Sequence, residues 1–142
     1  CTLIGGGIGI PPMLGLAKSL VIAGKKCRVI LGFNTASEIF LVDEFKNFTD
    51  DITVMTADGS YGQKGFVTDA FDTLDYACAC GPLKMLQALD GKVRKGQFSL
   101  EARMGCGFGA CMGCSIQTKV GSQRVCKEGP VFDKEVLLWE TL

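Results

Sequence analysis

Apolar residues in this chain come in two rhythms. Short unbroken runs, Cys1–Ile4, Cys27–Phe33, Ile52–Thr56, Tyr76–Cys80 and Gln97–Leu100, are mostly apolar and are bounded by glycine, proline or polar turn residues. Such runs predict strands buried on both faces. Between them lie segments with apolar residues at helical spacing: Met13–Ala23, Glu38–Lys46, Phe66–Phe71 and Leu83–Leu89. Ile39, Phe40, Val42 and Phe45 would form the inner side of the second helix. Gly24 is placed to close the first helix and Ser37 to cap the second. The alternation predicts an α/β fold, a five-stranded parallel sheet with helices on both faces.

After Leu100 the helical rhythm stops. Glycine and cysteine dominate 104–114, and Ser115–Val120 with Gln123–Cys126 reads as a hairpin turning at Gly121-Ser122. Val131–Asp133 and Val136–Leu138 add short pieces. The reading therefore divides the chain into a sheet domain, 1–100, and a small C-terminal cysteine-rich lobe, 101–142. A piece of about 40 residues builds little core by itself, so the lobe needs a metal site and the sheet beside it.

Three glycine-bearing loops follow strands. The first, Gly5 to Pro12, separates a strand from a helix and fits G-x-G-x-x-P through Gly7, Gly9 and Pro12. Glycine admits positive φ and close ligand approach, and a helix N-terminus favours phosphate. Taken alone, a plain tight turn satisfies the same residues. The second loop runs from Asp58-Gly59 to Gly65, and the third is Gly81-Pro82 after Cys80. In a parallel sheet all of these gather at the C-terminal strand edge, where α/β folds bind ligands. This convergence predicts a dinucleotide site containing Gly7, Ile8, Gly9, Pro12, Gly32, Phe33, Asn34, Asp58, Gly59, Gly81 and Pro82. Asp58 serves either as a loop cap or as a ribose contact. The stretch Gly32–Ser37 offers no Arg or Lys for a 2′-phosphate, which favours NAD over NADP.

Composition narrows the chemistry. Lys and Arg number 15 and Asp and Glu 15, so there is no basic excess for nucleic acid. No apolar run is long enough to span a membrane. Histidine is absent, which removes His-based acid–base catalysis and His-containing zinc sites. Eight cysteines could imply a secreted disulfide scaffold, but half of them are packed into one metal-like cluster; the expectation is a reducing, cytoplasmic setting. The chain begins with Cys1 inside a strand-like run, and an upstream segment is expected to precede it.

Cys106, Cys111 and Cys114 stand at C-x4-C-x2-C spacing, and Cys126 follows later. This is the spacing of plant-type [2Fe–2S] ligation. Structural zinc more often uses two short cysteine pairs set well apart, and [4Fe–4S] signatures use C-x2-C-x2-C. Glycines 105, 107, 109 and 113 let backbone N–H groups approach sulfur. Cys27 and Cys78 read as core residues. Cys80 ends its strand on the ligand edge, beside the expected nicotinamide, with no basic neighbour to make it a nucleophile.

The loop Gly7-Ile8-Gly9-Ile10-Pro11-Pro12 and the tripeptide Cys80-Gly81-Pro82 resemble the phosphate loop and the C-G-P motif of the ferredoxin–NADP reductase superfamily. Ser99 to Cys114, with Cys126-Lys127-Glu128-Gly129-Pro130-Val131-Phe132, resembles the electron-transfer subunits of dihydroorotate dehydrogenase B. The resemblance implies NADH on the sheet edge, an FAD held mainly by an N-terminal barrel absent from this chain, and a [2Fe–2S] relay. It also implies a partner, an FMN-containing catalytic subunit that oxidises dihydroorotate in pyrimidine biosynthesis. Related subunits of NAD(P)H–ferredoxin oxidoreductases, sulfide dehydrogenases and cytosolic hydrogenases are the alternative. In the first reading the ligand set is four cysteines, with no aspartate in first place. A zinc-stabilised, non-catalytic nucleotide-binding module is a third possibility.

Overall fold

The computed structural model describes residues 1–142. The five expected strands are all present: β1 (Thr2–Gly6), β2 (Arg28–Phe33), β3 (Ile52–Thr56), β5 (Leu74–Cys80) and β6 (Val93–Ser99). Two short strands extend them, β4 (Gln63–Lys64) and β9 (Val131–Asp133), giving a seven-stranded sheet of order β4-β3-β2-β1-β5-β6-β9. All neighbours are parallel except β6 and β9. The chain walks outward from β1 to β4, then returns to β5 on the other side of β1. The strand order thus reverses between β1 and β5, and the ligand crevice of an open α/β sheet lies at that point.

Side chains on one strand alternate between the two faces. Leu3, Val29, Leu31, Phe33 and Cys78 pack on one face under α1 (Ile10–Ile22) and α2 (Val42–Lys46), chiefly against Ile10, Met13, Ala17 and Phe45. Ile4, Ile30, Met55, Ala77, Ala79 and Phe98 pack on the other face. There they meet Leu86 and Leu89 of α3 (Leu83–Asp90) and four residues of the lobe: Cys114, Val125, Phe132 and Leu137. The lobe is thereby part of the sheet's own core. Lys134 reinforces the join, its Nζ donating to the carbonyls of Asp90 at 2.9 Å and Val93 at 2.7 Å.

Helix α1 closes as Gly24 allows. That residue sits at φ +71°, and Lys25 N–H reaches back to Leu20 C=O at 2.9 Å. The second expected helix is broken. A 3-10 turn spans Ala36–Glu38, Leu41 takes φ +61°, and only Val42–Lys46 is α-helical. Four consecutive apolar residues, Ile39 to Val42, cannot share one helical stripe. The chain bends so that Ile39, Leu41 and Val42 pack inward while Phe40 meets Phe33 edge-on at 6.0 Å. Ser37 caps nothing; its hydroxyl pairs with that of Thr35.

Phe66–Phe71 contains only a 3-10 turn, Val67–Asp69, in which the Asp69 carboxylate accepts from Phe66 N–H at 2.8 Å. The lobe's hairpin pairs β7 (Ser115–Thr118) with β8 (Gly121–Arg124), so it turns at Lys119-Val120, two residues earlier than expected. Thr118 causes the shift. Its hydroxyl donates to Gly121 C=O at 2.7 Å and accepts from Val120 N–H, stitching the tip from below. Val136–Leu138 is not a strand; Lys134–Val136 is a 3-10 turn, and Leu137 makes one isolated bridge to Thr118.

Candidate functional site

At the β1/β5 reversal lies a cleft of about 460 Å³. Small-ligand sites fall in the range of about 300–1,000 Å³. Its floor is glycine. Gly6 ends β1 and Gly7 opens the 3-10 turn after it, Gly32 lies in β2, and Gly65 follows β4. A Cβ on Gly6 would come 2.5 Å from Met85 Sδ, and one on Gly32 would come 2.6 Å from Val67 Cγ1, so side chains there would fill the crevice. Phe33, Asn34, Phe66, Pro82 and Met85 are among the remaining wall residues.

Of the sequence-predicted residues, Gly7, Gly32, Phe33, Asn34 and Pro82 line this cleft. Ile8, Gly9, Pro12, Asp58, Gly59, Cys80 and Gly81 do not. Gly9 and Gly81 shape it from behind. A Cβ on Gly9 would sit 2.1 Å from the Cys80 carbonyl oxygen, and one on Gly81 would sit 2.5 Å from Met85 Cε. Ile8 projects into solvent, 80% exposed. Asp58 behaves as the loop-cap alternative requires: its Oδ1 accepts from the Ser60 hydroxyl at 2.6 Å and from Ser60 N–H at 2.9 Å. That hydroxyl bond, foremost, lowers the Asp58 pKa. Ser60 Oγ in turn accepts from Ala36 N–H at 2.7 Å, which ties the β3–β4 loop to the loop after β2.

Cys80 is half-buried and pairs across the sheet with Ser99. Burial pushes its thiol up from the ordinary value, against the opposing hydrogen bond with Ser99.

Two charged residues in the cleft went unrecognised in the sequence. Glu38 Oε2 accepts from the backbone N–H of Asn34 at 3.1 Å and from its side-chain amide at 2.9 Å, which fixes the carboxylate at the mouth beyond β2. Lys84, in the first turn of α3, is the one cation on the wall. The signals were present: Glu38 is the first acid after the second strand, and Lys84 follows Gly81-Pro82 directly.

In the lobe the four cluster cysteines sort into two pairs. Cys106 Sγ accepts from the N–H groups of Ala110 and Cys111 at 3.3 and 3.4 Å. Cys114 Sγ accepts from Cys126 N–H at 3.4 Å. The backbone N–H groups of Cys111 and Phe108 bring the Cys106 thiol down to about 6. Cys126 N–H, foremost, lowers Cys114, while Cys126 is raised by its thiol contact with Cys114. In each pair the backbone N–H groups thus favour the charged form of one sulfur, Cys106 or Cys114. Positive φ at Gly107, Gly109 and Met112 wraps the backbone around the sulfurs. A Cβ on Gly105 would approach Cys111 Sγ to 3.3 Å. No three of these ligands gather round a single point, and two amide-held thiol pairs match the two thiolates that each iron of a two-iron cluster takes.

A parallel sheet with a nucleotide-sized cleft at its reversal and a separate cysteine cradle defines a NAD-binding oxidoreductase domain joined to an iron–sulfur site. Comparison with known proteins agrees. Residues 3–90 match the oxidoreductase NAD-binding domain, and residues 101–138 match the iron-sulfur cluster binding domain of dihydroorotate dehydrogenase B. The chain belongs to the oxidoreductase NAD-binding domain family, and the curated relatives it matches are dihydroorotate dehydrogenase B electron transfer subunits. It is 45% identical over 141 residues to the electron transfer subunit of Bacillus mycoides (strain KBAB4) and 44% identical to that of Bacillus cereus (strain B4264). Each alignment covers 92% of this chain and 54% of the relative, so the chain spans about half the length of these curated relatives. Among solved structures, an NADH-dependent reduced ferredoxin-NADP oxidoreductase, described for flavin-based electron bifurcation, superposes with TM-score 0.86 at 35% identity. That match covers 98% of this chain and 54% of the other. The cytochrome b5 reductase domain of Ulva prolifera nitrate reductase shares the fold at TM-score 0.53 and 21% identity, over 64% of this chain and 42% of its own. No helix is long and apolar enough to cross a membrane.

Proposed function

We propose that this chain takes reducing equivalents from NADH and passes them through a [2Fe–2S] cluster toward dihydroorotate dehydrogenase chemistry. The observation that carries the reading is the grouping of the four cysteine sulfurs into two amide-held pairs on the core of a nucleotide-binding sheet. Cys106 with Cys111, and Cys114 with Cys126, would each hold one iron. When bound, the nicotinamide would supply a hydride, and a cluster held by these four cysteines would supply one-electron transfer.

The residues of this chain have separable tasks. Gly6, Gly7 and Gly32 leave the crevice open, and Gly9, Gly81 and Pro82 set its rear wall. Glu38 accepts hydrogen bonds from ribose hydroxyls and repels a 2′-phosphate, which favours NAD over NADP. Lys84 places a positive charge near the pyrophosphate. Phe66, 67% exposed on the rim, offers a ring to the adenine. Cys80 packs beside the nicotinamide and excludes water. Asp58 and Gly59 hold the loop that supports this end of the site.

We assign the nucleotide domain to 1–100 and the cluster lobe to 101–142, supported by the change from helical rhythm to glycine and cysteine after Leu100. FAD is held mainly by the part of the protein beyond this chain. The redox partner is an FMN-containing catalytic subunit, and the setting is the reducing cytoplasm. The likeness to the ferredoxin-NADP oxidoreductase supports a second reading, a subunit serving a ferredoxin-linked enzyme. Co-purification of the native complex separates the two by the identity of the catalytic partner. Anaerobic EPR after dithionite reduction tests the cluster: a rhombic [2Fe–2S] signal is expected, lost on Cys→Ser at 106, 111, 114 or 126. Stoichiometric zinc with no such signal would refute it.

A further inference from the structure

One partly exposed ion pair in the lobe has no part in the roles above. Arg124 ends β8, two residues before Cys126, and pairs in register with Ser115, the residue after Cys114. Its Nη1 donates to Gly109 C=O at 2.7 Å, at the middle of the loop between Cys106 and Cys111. Glu128 grips the same residue from the other side. Glu128 Oε2 accepts from Arg124 N–H at 2.7 Å and from Nε at 2.9 Å, and Oε1 accepts from Nη2. Arg124 C=O accepts from the N–H groups of Lys127, Glu128 and Gly129, closing the turn that carries Cys126. The two side chains are only 23% and 30% exposed. Gly109 completes the fit. It sits at φ +92°, and a Cβ there would lie 2.8 Å from Lys127 Cδ and 3.3 Å from Arg124 Nη1.

We propose that Arg124 is a positioning residue for the iron–sulfur site: with Glu128 it clamps the Cys106–Cys111 loop to the Cys126 turn and sets a fixed charge pair beside the sulfurs. The proposal rests on reading Cys106, Cys111, Cys114 and Cys126 as cluster ligands. The geometry needs arginine in particular. One planar fork reaches the carboxylate and the Gly109 carbonyl together, which a lysine ammonium on a flexible stem does not do. Outer-shell partners of this kind typically change metal affinity by about 10- to 100-fold. The charge acts in a second, separable way. One-electron reduction adds a negative charge to the cluster, which a nearby cation favours and a nearby anion opposes.

The test uses the cluster-loaded protein, purified anaerobically. Three variants, Arg124→Gln, Arg124→Lys and Glu128→Gln, are compared with Arg94→Gln, which breaks an exposed pair with Asp75 elsewhere. Cluster loss to an iron chelator is followed by visible absorbance, and the midpoint potential by EPR-monitored titration. All three lobe variants are expected to lose iron about 10- to 100-fold faster, with Arg94→Gln unchanged. Arg124→Gln should move the potential negative, Glu128→Gln positive, and Arg124→Lys hardly at all. Shifts of the same sign in Arg124→Gln and Glu128→Gln, or loss rates equal to the parent's, would overturn the proposal. If Arg124→Gln does not fold, Arg124→Lys and Glu128→Gln still decide it. Failure of the underlying cluster reading is distinguishable, because it appears as a missing [2Fe–2S] signal in the unmutated protein.

Discussion

Gly9 and Gly15 lie on the same stretch of chain, yet replacing each by alanine should have opposite effects. A Cβ on Gly9 would stand 2.1 Å from the Cys80 carbonyl oxygen, 2.3 Å from its carbonyl carbon and 2.6 Å from Gly81 N. All three are backbone atoms, so no rotamer change relieves the clash. Carbon contacts settle at about 3.5 Å, so the loop and the β5 turn must part by roughly 1.3 Å. Overpacking of this kind costs roughly 1–3 kcal/mol. The residue's φ of −76° suits any amino acid, so the cost is steric alone. Gly15 faces open space within α1, and alanine there should gain about 0.5–1 kcal/mol of helix stability. Urea unfolding should therefore separate the two variants by about 1.5–4 kcal/mol at equal m-value. NADH titration adds a second readout. Gly9→Ala displaces the rear wall of the cleft by about 1 Å, a scale of misplacement worth up to about 100-fold in function, whereas Gly15→Ala should bind like the parent. Parental stability and NADH affinity in Gly9→Ala, or equal destabilisation in both variants, would refute the reasoning.

Glu38→Gln should raise the NADH dissociation constant by about 10- to 100-fold, the loss of one charged hydrogen bond, and narrow its preference over NADPH; isothermal titration with both nucleotides checks this. In the metal-free chain Cys106 should be alkylated first. Thiolate is the reactive form, and its fraction falls as pH drops through about 6, so the iodoacetamide rate at Cys106 should be half-maximal there. Cys27, Cys78 and Cys80, raised by burial, should react only under alkaline conditions, as peptide mass mapping would show. Lys134→Met removes the donor to the Asp90 and Val93 carbonyls and should lower stability by about 1.5–3 kcal/mol in chemical denaturation.

Much of this could be read directly from residue types. The five central strands announced themselves because a strand covered on both faces is apolar at every position, as at Val29–Leu31. The cysteine spacing named its own chemistry, because few ligand patterns place three thiols so close together. What escaped was decided by contacts distant in sequence. Leu41 adopts a left-handed conformation because two faces compete for Ile39 to Val42, and no local rule ranks them. β9 is three residues long and exists because β6 offers it an open edge. Glu38 escaped because it was counted as a helix residue, when Asn34 instead folds it back over the end of β2. The hairpin tip went to Lys119-Val120 because Thr118 bonds across it, overriding the glycine preference at 121.

The antiparallel pairing of β9 on β6 has a consequence for how far the two sites depend on each other. It sews the cysteine lobe to the same sheet that forms the nucleotide cleft, with Phe132, Leu137 and Cys114 buried in the common core. The cysteine cradle and the nucleotide cleft therefore share one core, and what unfolds one exposes the other.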